Sequence, residues 1–209
     1  MQKSLKILFF HNTLPEYRIG WFRNLAQNAD VQFVFTNEQL NKKEYGFTIE
    51  YEKIKDLKCK FLLDGKQGIK DLKQIMGDSI QYDFVELPPI DSLREVIYSA
   101  YIVYVCKKKN IKIGYFWEKW EAPWEKQPLK RRVKNLILRV IPGLIYKRAD
   151  VIFSVGRKNR EYFISNGVKE KKIVWIPDVS ETPDCDYIDL REKFNIPSEC
   201  KIIMLSLIH

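Results

Sequence analysis

The chain has 209 residues, with 36 Lys and Arg against 27 Asp and Glu, a formal charge of +9, and 45% hydrophobic and 13% aromatic residues. That composition buries a core and excludes a disordered chain, and the length suits one large domain, or one domain plus part of another. The cysteines Cys59, Cys106, Cys185 and Cys200 form no C-x-x-C pair, and two histidines make a zinc site a poor fit, so the thiols suit a reducing compartment.

After Lys3 and Lys6 an apolar run stops at His11, too short for a signal-peptide core. The most apolar helical stretch, Val96–Cys106, falls well short of the roughly 20 residues that span a bilayer. The expectation is a cytoplasmic protein, at most peripheral on the inner face of the cell membrane. Strands are predicted at Lys6–Phe10, Val31–Thr36, Lys58–Leu63, Asp83–Leu87, Ile111–Phe116, Val151–Val155, Ile173–Ile176 and Lys201–Leu205. These runs are β-branched or aromatic, as strands covered on both faces must be, and their spacing fits strand–helix–strand crossovers. A helix is predicted over Arg18–Ala29, with Ile19, Phe22, Leu25 and Ala26 on one stripe. Asp91 is the expected N-cap of a helix running to about Lys109. Pro128 opens a basic helix with Leu129, Val133, Leu136, Ile137 and Val140 at helical spacing. The segment RKNREYFISNG ends in Gly167, a left-handed C-cap. Asn37–Lys60 gives no clear reading.

The fold class is therefore α/β, Rossmann-like and doubly wound, with a mainly parallel sheet over residues 1–178. Residues 179–209 read as a linker, a short helix in IDLREKFNIP and a new strand, the incomplete start of a second domain.

In open α/β sheets, ligands bind beyond the C-terminal ends of the strands. That rule selects His11, Asn12 and Thr13 after the first strand and Glu86 after the fourth. It also selects Trp117 and Glu118 after the fifth, Ser154 and Gly156 after the sixth, and Asp178 after the seventh. The loop HNTLPEYRIG enters a helix N-terminus, where free N–H groups suit phosphate, and Arg18 adds a bidentate donor. The plainer alternative is a turn shaped by Pro15 and Gly20 with Arg18 solvated. His11 reads more readily as a partner of a backbone group than as a base. Ser154 lacks the G-x-S-x-G elbow of a hydrolase. Residues 119–148 hold nine Lys and Arg against two Glu. Lys130, Arg131, Arg132 and Lys134 cluster near the start of the basic helix, which suits an anionic membrane surface or, alternatively, a solvated face over a core. No nucleic-acid motif accompanies the charge.

KILFFHNTLPEYRIGWFRNLA resembles the opening of GT-B glycosyltransferases of family 4, in the branch whose first loop carries P-x-Y-R. ADVIFSVGRKNREYFISNGVKEKKIVWIPD resembles the last part of that family's first domain, and LREKFNIP the hinge into its donor domain. Where the family shows Asn-Gly after the I-P corner, this chain has Asp178-Val179. Where it often places a histidine after the fifth strand, Trp117-Glu118 stand here. The resemblance implies an acceptor-binding domain of a nucleotide-sugar-dependent enzyme, with no metal and no cofactor beyond the nucleotide-sugar substrate. The donor-holding motifs belong to a second domain that this sequence does not reach. On this reading Asn12, Thr13, Tyr17, Arg18 and Gly20 of the first loop line the substrate cleft, together with the strand-end residues Glu86, Trp117, Ser154 and Asp178 and with Glu121. Glu118 then serves as the catalytic carboxylate that orients the acceptor hydroxyl, and Trp117, Trp120 and Trp124 stack on a sugar or a lipid-linked acceptor. The alternative is an acidic loop over packed tryptophans, in a non-catalytic Rossmann-like module that docks on a membrane or partner through the basic helix.

Overall fold

The computed structural model describes residues 4–37, 51–63, 65–77, 81–118, 141–177 and 189–202. The apolar runs become strands: β1 Lys6–His11, β2 Asp30–Phe35, β3 Cys59–Phe61, β4 Phe84–Leu87, β5 Lys112–Phe116, β6 Val151–Ser154 and β7 Ile173–Trp175. They form one seven-stranded sheet in the order β3-β2-β1-β4-β5-β6-β7, and every pair is parallel. The helices are α1 Ile19–Asn28, α2 Gly65–Gly77, α3 Leu93–Lys109, residues 141–148 (α4), α5 Arg157–Ser165 and α6 Leu190–Lys193. The predicted doubly wound α/β class is what the chain adopts.

Because side chains alternate across a strand, the sheet has two apolar faces. On one face Phe9, Phe33 and Phe35 pack with Ile19 and Phe22 of α1. On the other, Leu8, Val34, Val85, Ile113 and Ile152 pack with Leu72 of α2, Ile102 of α3, Ile145 of α4 and Phe163 of α5. Two-sided burial is why these strands read as unbroken apolar runs. At the far end of β5 the Asp150 carboxylate accepts from the Ile113 N–H at 3.0 Å and from Lys107 Nζ at 3.1 Å, which ties α3 to the β5–β6 pair.

Several local expectations change. Arg18 is not the first residue of α1: it closes a 3-10 turn over Glu16–Arg18, its N–H donating to Pro15 O at 3.0 Å. Ile19 and Phe22 of the expected stripe are buried, and Leu25 and Ala26 pack partly against the same core. Thr36 falls just beyond β2, although its N–H still donates to His11 O at 2.9 Å. The N-cap of α3 is Ser92 rather than Asp91, because Glu95 reaches back to accept from the Ser92 N–H at 2.9 Å. The α2 helix was not anticipated. Its core residues Leu72, Ile75 and Met76 do recur at helical spacing, but the lysines and glycines over the rest of the helix dilute the pattern. Gly167 holds the left-handed conformation expected of it, φ 81°, just after α5, and an added Cβ would meet the Lys147 side chain at 2.3 Å.

α6 forms within the expected short helix, capped by Asp189, whose carboxylate accepts from the Arg191 N–H at 2.8 Å. The expected strand Lys201–Leu205 is not seen at Lys201 and Ile202, and its remaining residues lie outside the described ones. So do most of the predicted basic helix, with Pro128, Lys130, Arg131, Arg132 and Lys134, and the residues Trp120, Glu121, Trp124 and Asp178. Among the described residues no helix is long and apolar enough to cross a membrane.

Candidate functional site

The chain builds outward from β1 in both directions, first to β2 and β3, then back to β4 and on to β7. The loops leaving β1 and β4 therefore part on opposite sides, and a crevice opens between their C-terminal ends. His11 ends β1. Glu86 lies on β4, in register with Phe9 of β1 and Gly114 of β5. Phe116 ends β5, and Trp117 and Glu118 follow it.

Arg18 is the centre of the site. The 3-10 turn before α1 brings it back over the strand ends, and its side chain is only 8% exposed. The guanidinium lies over the rings of Tyr17 at 5.6 Å and Phe116 at 5.5 Å, cation–π contacts that hold it in place. One terminal nitrogen lies 3.5 Å from His11 Nε2, the outer limit of a hydrogen bond. The other is paired with Glu118 Oε1. This contact joins residues 100 positions apart.

His11 is neutral by construction. Its Nδ1 lies 2.8 Å from Thr13 O, an acceptor only, so Nδ1 carries the proton and the Nε2 lone pair faces Arg18. Burial pushes the imidazole pKa down to about 3; Arg18 pushes the same way, and the Thr13 carbonyl pulls weakly against both. The sequence reading of His11 as a residue pairing with backbone agrees with this geometry. The first-loop amides, expected to be free for phosphate, are partly spent. Thr13 N–H donates to Asn12 Oδ1 at 2.9 Å, and Arg18 N–H to Pro15 O.

Glu86 is buried on the α1 face, 1% exposed, and among the described residues neither carboxylate oxygen has a hydrogen bond of good geometry. Burial raises its pKa well above the usual carboxylate range, and the Phe116 amide opposes that only weakly. The carboxyl occupies the space over Gly114. A Cβ there would come within 2.2 Å of both Glu86 Oε2 and the Phe84 ring, so no other residue fits at 114 without displacing them.

The remaining candidates separate. Tyr17 is half exposed and stacks under Arg18, Gly20 sits in the first turn of α1, and Trp117 meets His11 edge-on at 6.4 Å. Ser154 does not join them: its Oγ donates to Gly156 O at 3.1 Å, and strand alternation places it with Ile152 on the other face of the sheet. Asn159, which the sequence reading passed over, is buried and bridges the strand ends. Its Nδ2 donates to Trp117 O at 2.8 Å and its Oδ1 accepts from Val155 N–H at 3.3 Å. No local pattern signals a bond across 42 residues. Trp21 and Phe116 were likewise unanticipated; their stacked rings, 6.5 Å apart, wall the site beside Arg18. Among the described residues no group of three or more His, Cys, Asp or Glu side chains is placed to hold a metal ion.

With this geometry in view, the comparisons with known proteins place the fold. No family model matches the chain, and no curated protein matches it. Solved structures do. Anabaena HepE in complex with UDP and glucose aligns with a TM-score of 0.54 at 11% identity, covering 83% of this chain and 44% of that one. HepE in complex with UDP-glucose aligns at 0.51 and 11% identity, covering 83% and 43%. The apo form of the lipopolysaccharide outer core galactosyltransferase WaaB aligns at 0.46 and 14% identity, covering 81% and 44%. The chain thus shares a Rossmann-like α/β fold with HepE over most of its length. It spans less than half the length of each of these three structures.

Proposed function

We propose that this chain is the acceptor-side domain of a nucleotide-sugar-dependent glycosyltransferase of the family 4 kind, acting in cell-surface polysaccharide or glycolipid synthesis. The observation that carries the reading is the meeting of Arg18, Glu118 and neutral His11 where the parallel strands end, beside the switch point. The HepE likeness supports the fold that this reading requires. Arg18 receives the anionic part of the nucleotide-sugar or of the acceptor, and its fork geometry suits phosphate oxygens. Glu118, more exposed at 40%, orients the acceptor hydroxyl and takes up its proton as charge develops. Tyr17 and Trp117 offer ring faces to a sugar. Residues 1–178 form this domain; 179–209 lead toward a donor domain that would hold most of the nucleotide.

The purified 209-residue chain is expected to transfer no sugar from UDP- or GDP-sugars. It is expected to bind UDP-glucose weakly by calorimetry, at about millimolar Kd, and Arg18→Gln should remove that binding. Turnover by the chain alone would overturn the divided site. Binding unchanged in Arg18→Gln would remove Arg18 from it.

The same proposal places the domain against an anionic membrane through Lys130, Arg131, Arg132 and Lys134. A feature of the described residues supports a surface role. Ile97 and Tyr104 of α3 and Ile141 and Leu144 of α4 are about half exposed, and a groove of about 510 Å³ between the helices is rimmed by Lys107, Lys108 and Arg148. Sedimentation with anionic but not neutral vesicles is expected, falling at least tenfold when Lys130, Arg131, Arg132 and Lys134 are all changed to Gln. Each basic residue near such a surface contributes about 1 kcal/mol. Equal sedimentation of wild type and variant would exclude this role.

A further inference from the structure

The geometry points to an anion seat at Arg18 that the chain's own Glu118 carboxylate fills until a ligand displaces it. This inference rests on the reading of Arg18 as the group that receives a ligand's phosphate. It adds how that site is regulated and in what order its parts become available.

The guanidinium is fixed on three sides before any ligand arrives. Tyr17 and Phe116 lie against it, and the Nε2 lone pair of His11 faces one terminal nitrogen. The other terminal nitrogen is engaged by Glu118 Oε1. A carboxylate and a phosphate oxygen present the same feature to a guanidinium: a compact anionic acceptor in the plane of the N–H bonds. Among the described residues, the other titratable side chains beside the guanidinium are His11 and Glu86. His11 is neutral, and the Glu86 carboxyl is buried without a hydrogen bond from Arg18.

The two partners differ in exposure. Arg18 is 8% exposed and boxed in, whereas Glu118 is 40% exposed and lies beyond the end of β5. An incoming phosphate therefore meets a stationary cation and a replaceable anion. Displacement also changes what Glu118 can do. A carboxylate held through one oxygen by a guanidinium is a weaker acceptor for a hydroxyl; once released, both of its oxygens can accept at full strength. Binding of the anionic ligand would thus precede and enable the orientation of the acceptor hydroxyl by Glu118.

The test is calorimetric titration of the full chain with inorganic pyrophosphate at fixed ionic strength, with UDP as a second probe. Wild type, Glu118→Gln, Arg18→Gln and the double variant are compared. Glu118→Gln keeps the shape and removes the competing charge, so pyrophosphate affinity is expected to rise about fivefold or more, the scale of releasing one partly exposed ion pair. That gain should vanish when Arg18→Gln is also present. Affinity unchanged or lowered in Glu118→Gln, with Arg18→Gln still weakening binding, overturns the seat and leaves the anion reading standing. Affinity indifferent to Arg18→Gln, or no binding by any variant up to millimolar probe, overturns both. Matching circular dichroism spectra and urea midpoints establish that the four proteins share one fold.

Discussion

Replacing Phe22 by alanine is expected to destabilise the protein by about 3–5 kcal/mol, the largest effect of any single change considered. Phe22 is fully buried and is the hub of the α1-side cluster. Its ring centroid lies 5.1 Å from those of Trp21 and Phe33, 5.7 Å from Phe35 and 6.0 Å from the His11 ring, all edge-to-face. Removing the ring leaves a void walled by stiff aromatic groups on a rigid sheet, which cannot collapse inward. The loss should appear as a lower urea midpoint with an unchanged slope. It should also reach the site, because α1 is seated by Phe22 and the turn before α1 carries Arg18. Anion binding should weaken even at temperatures where the variant is folded. Phe22→Leu, which fills most of the space, should cost about 1 kcal/mol. An alanine variant within about 1 kcal/mol of wild type would show that α1 is held elsewhere.

The second large effect concerns Glu86→Gln and grows with pH. In the folded protein burial raises the Glu86 pKa well above its ordinary 4.5, so the native state keeps a proton that the unfolded chain has released. Stability must then fall as pH rises above about 4.5, at about 1.4 kcal/mol per pH unit, until the native carboxyl ionises. The glutamine amide cannot ionise, so the variant escapes this loss. Its advantage over wild type should be near zero at about pH 4 and widen steadily toward neutrality. His11 works in the opposite sense. Its folded pKa of about 3 lies below the ordinary 6.5, so the unfolded chain binds the proton first as pH falls. Stability from His11 is complete above about pH 6.5 and is lost progressively down to about pH 3. Between about pH 4.5 and 6.5 the two slopes cancel in the wild type. In Glu86→Gln only the histidine slope should remain there, with stability rising by about 1.4 kcal/mol per unit and then levelling off. Urea unfolding at half-unit pH steps reads both. Parallel curves for wild type and variant would mean that Glu86 is ionised in the folded protein.

These effects show what kind of information sequence carries. The strand positions were legible because both faces of a parallel sheet are apolar, so Ile7–Phe10 and Val31–Phe35 stand out against charged surroundings. The α1 stripe was legible for the same reason at helical period. The N-cap of α3 was misplaced by one residue, since Asp91 and Ser92 are both good caps and the reciprocal reach of Glu95 decides between them. The α2 helix was passed over because its short apolar stripe is interrupted by lysines and glycines, and packing on Tyr98 and the sheet supplies what propensity lacks. In the site, Arg18 and Glu118 were each singled out on separate grounds, one by its loop and one by its strand end. The resemblance put both in one cleft, but nothing in the sequence showed that they pair with each other. Ser154 followed from the same strand-end rule yet lies on the opposite face, because that rule fixes the end of a strand and not the side.

The alternation of strands and helices, the parallel sheet and the end of the sheet where polar groups collect can all be read from the order of residues. Those follow from periodicity and burial, which act over a few residues at a time. The pairing of Arg18 with Glu118, the neutrality of His11 and the enclosure of Glu86 beside the Phe84 ring over Gly114 come from the folded arrangement alone. Each of these depends on strands far apart in the chain lying side by side about 5 Å apart, and on water being excluded between them, and neither condition is written in any local stretch of residues.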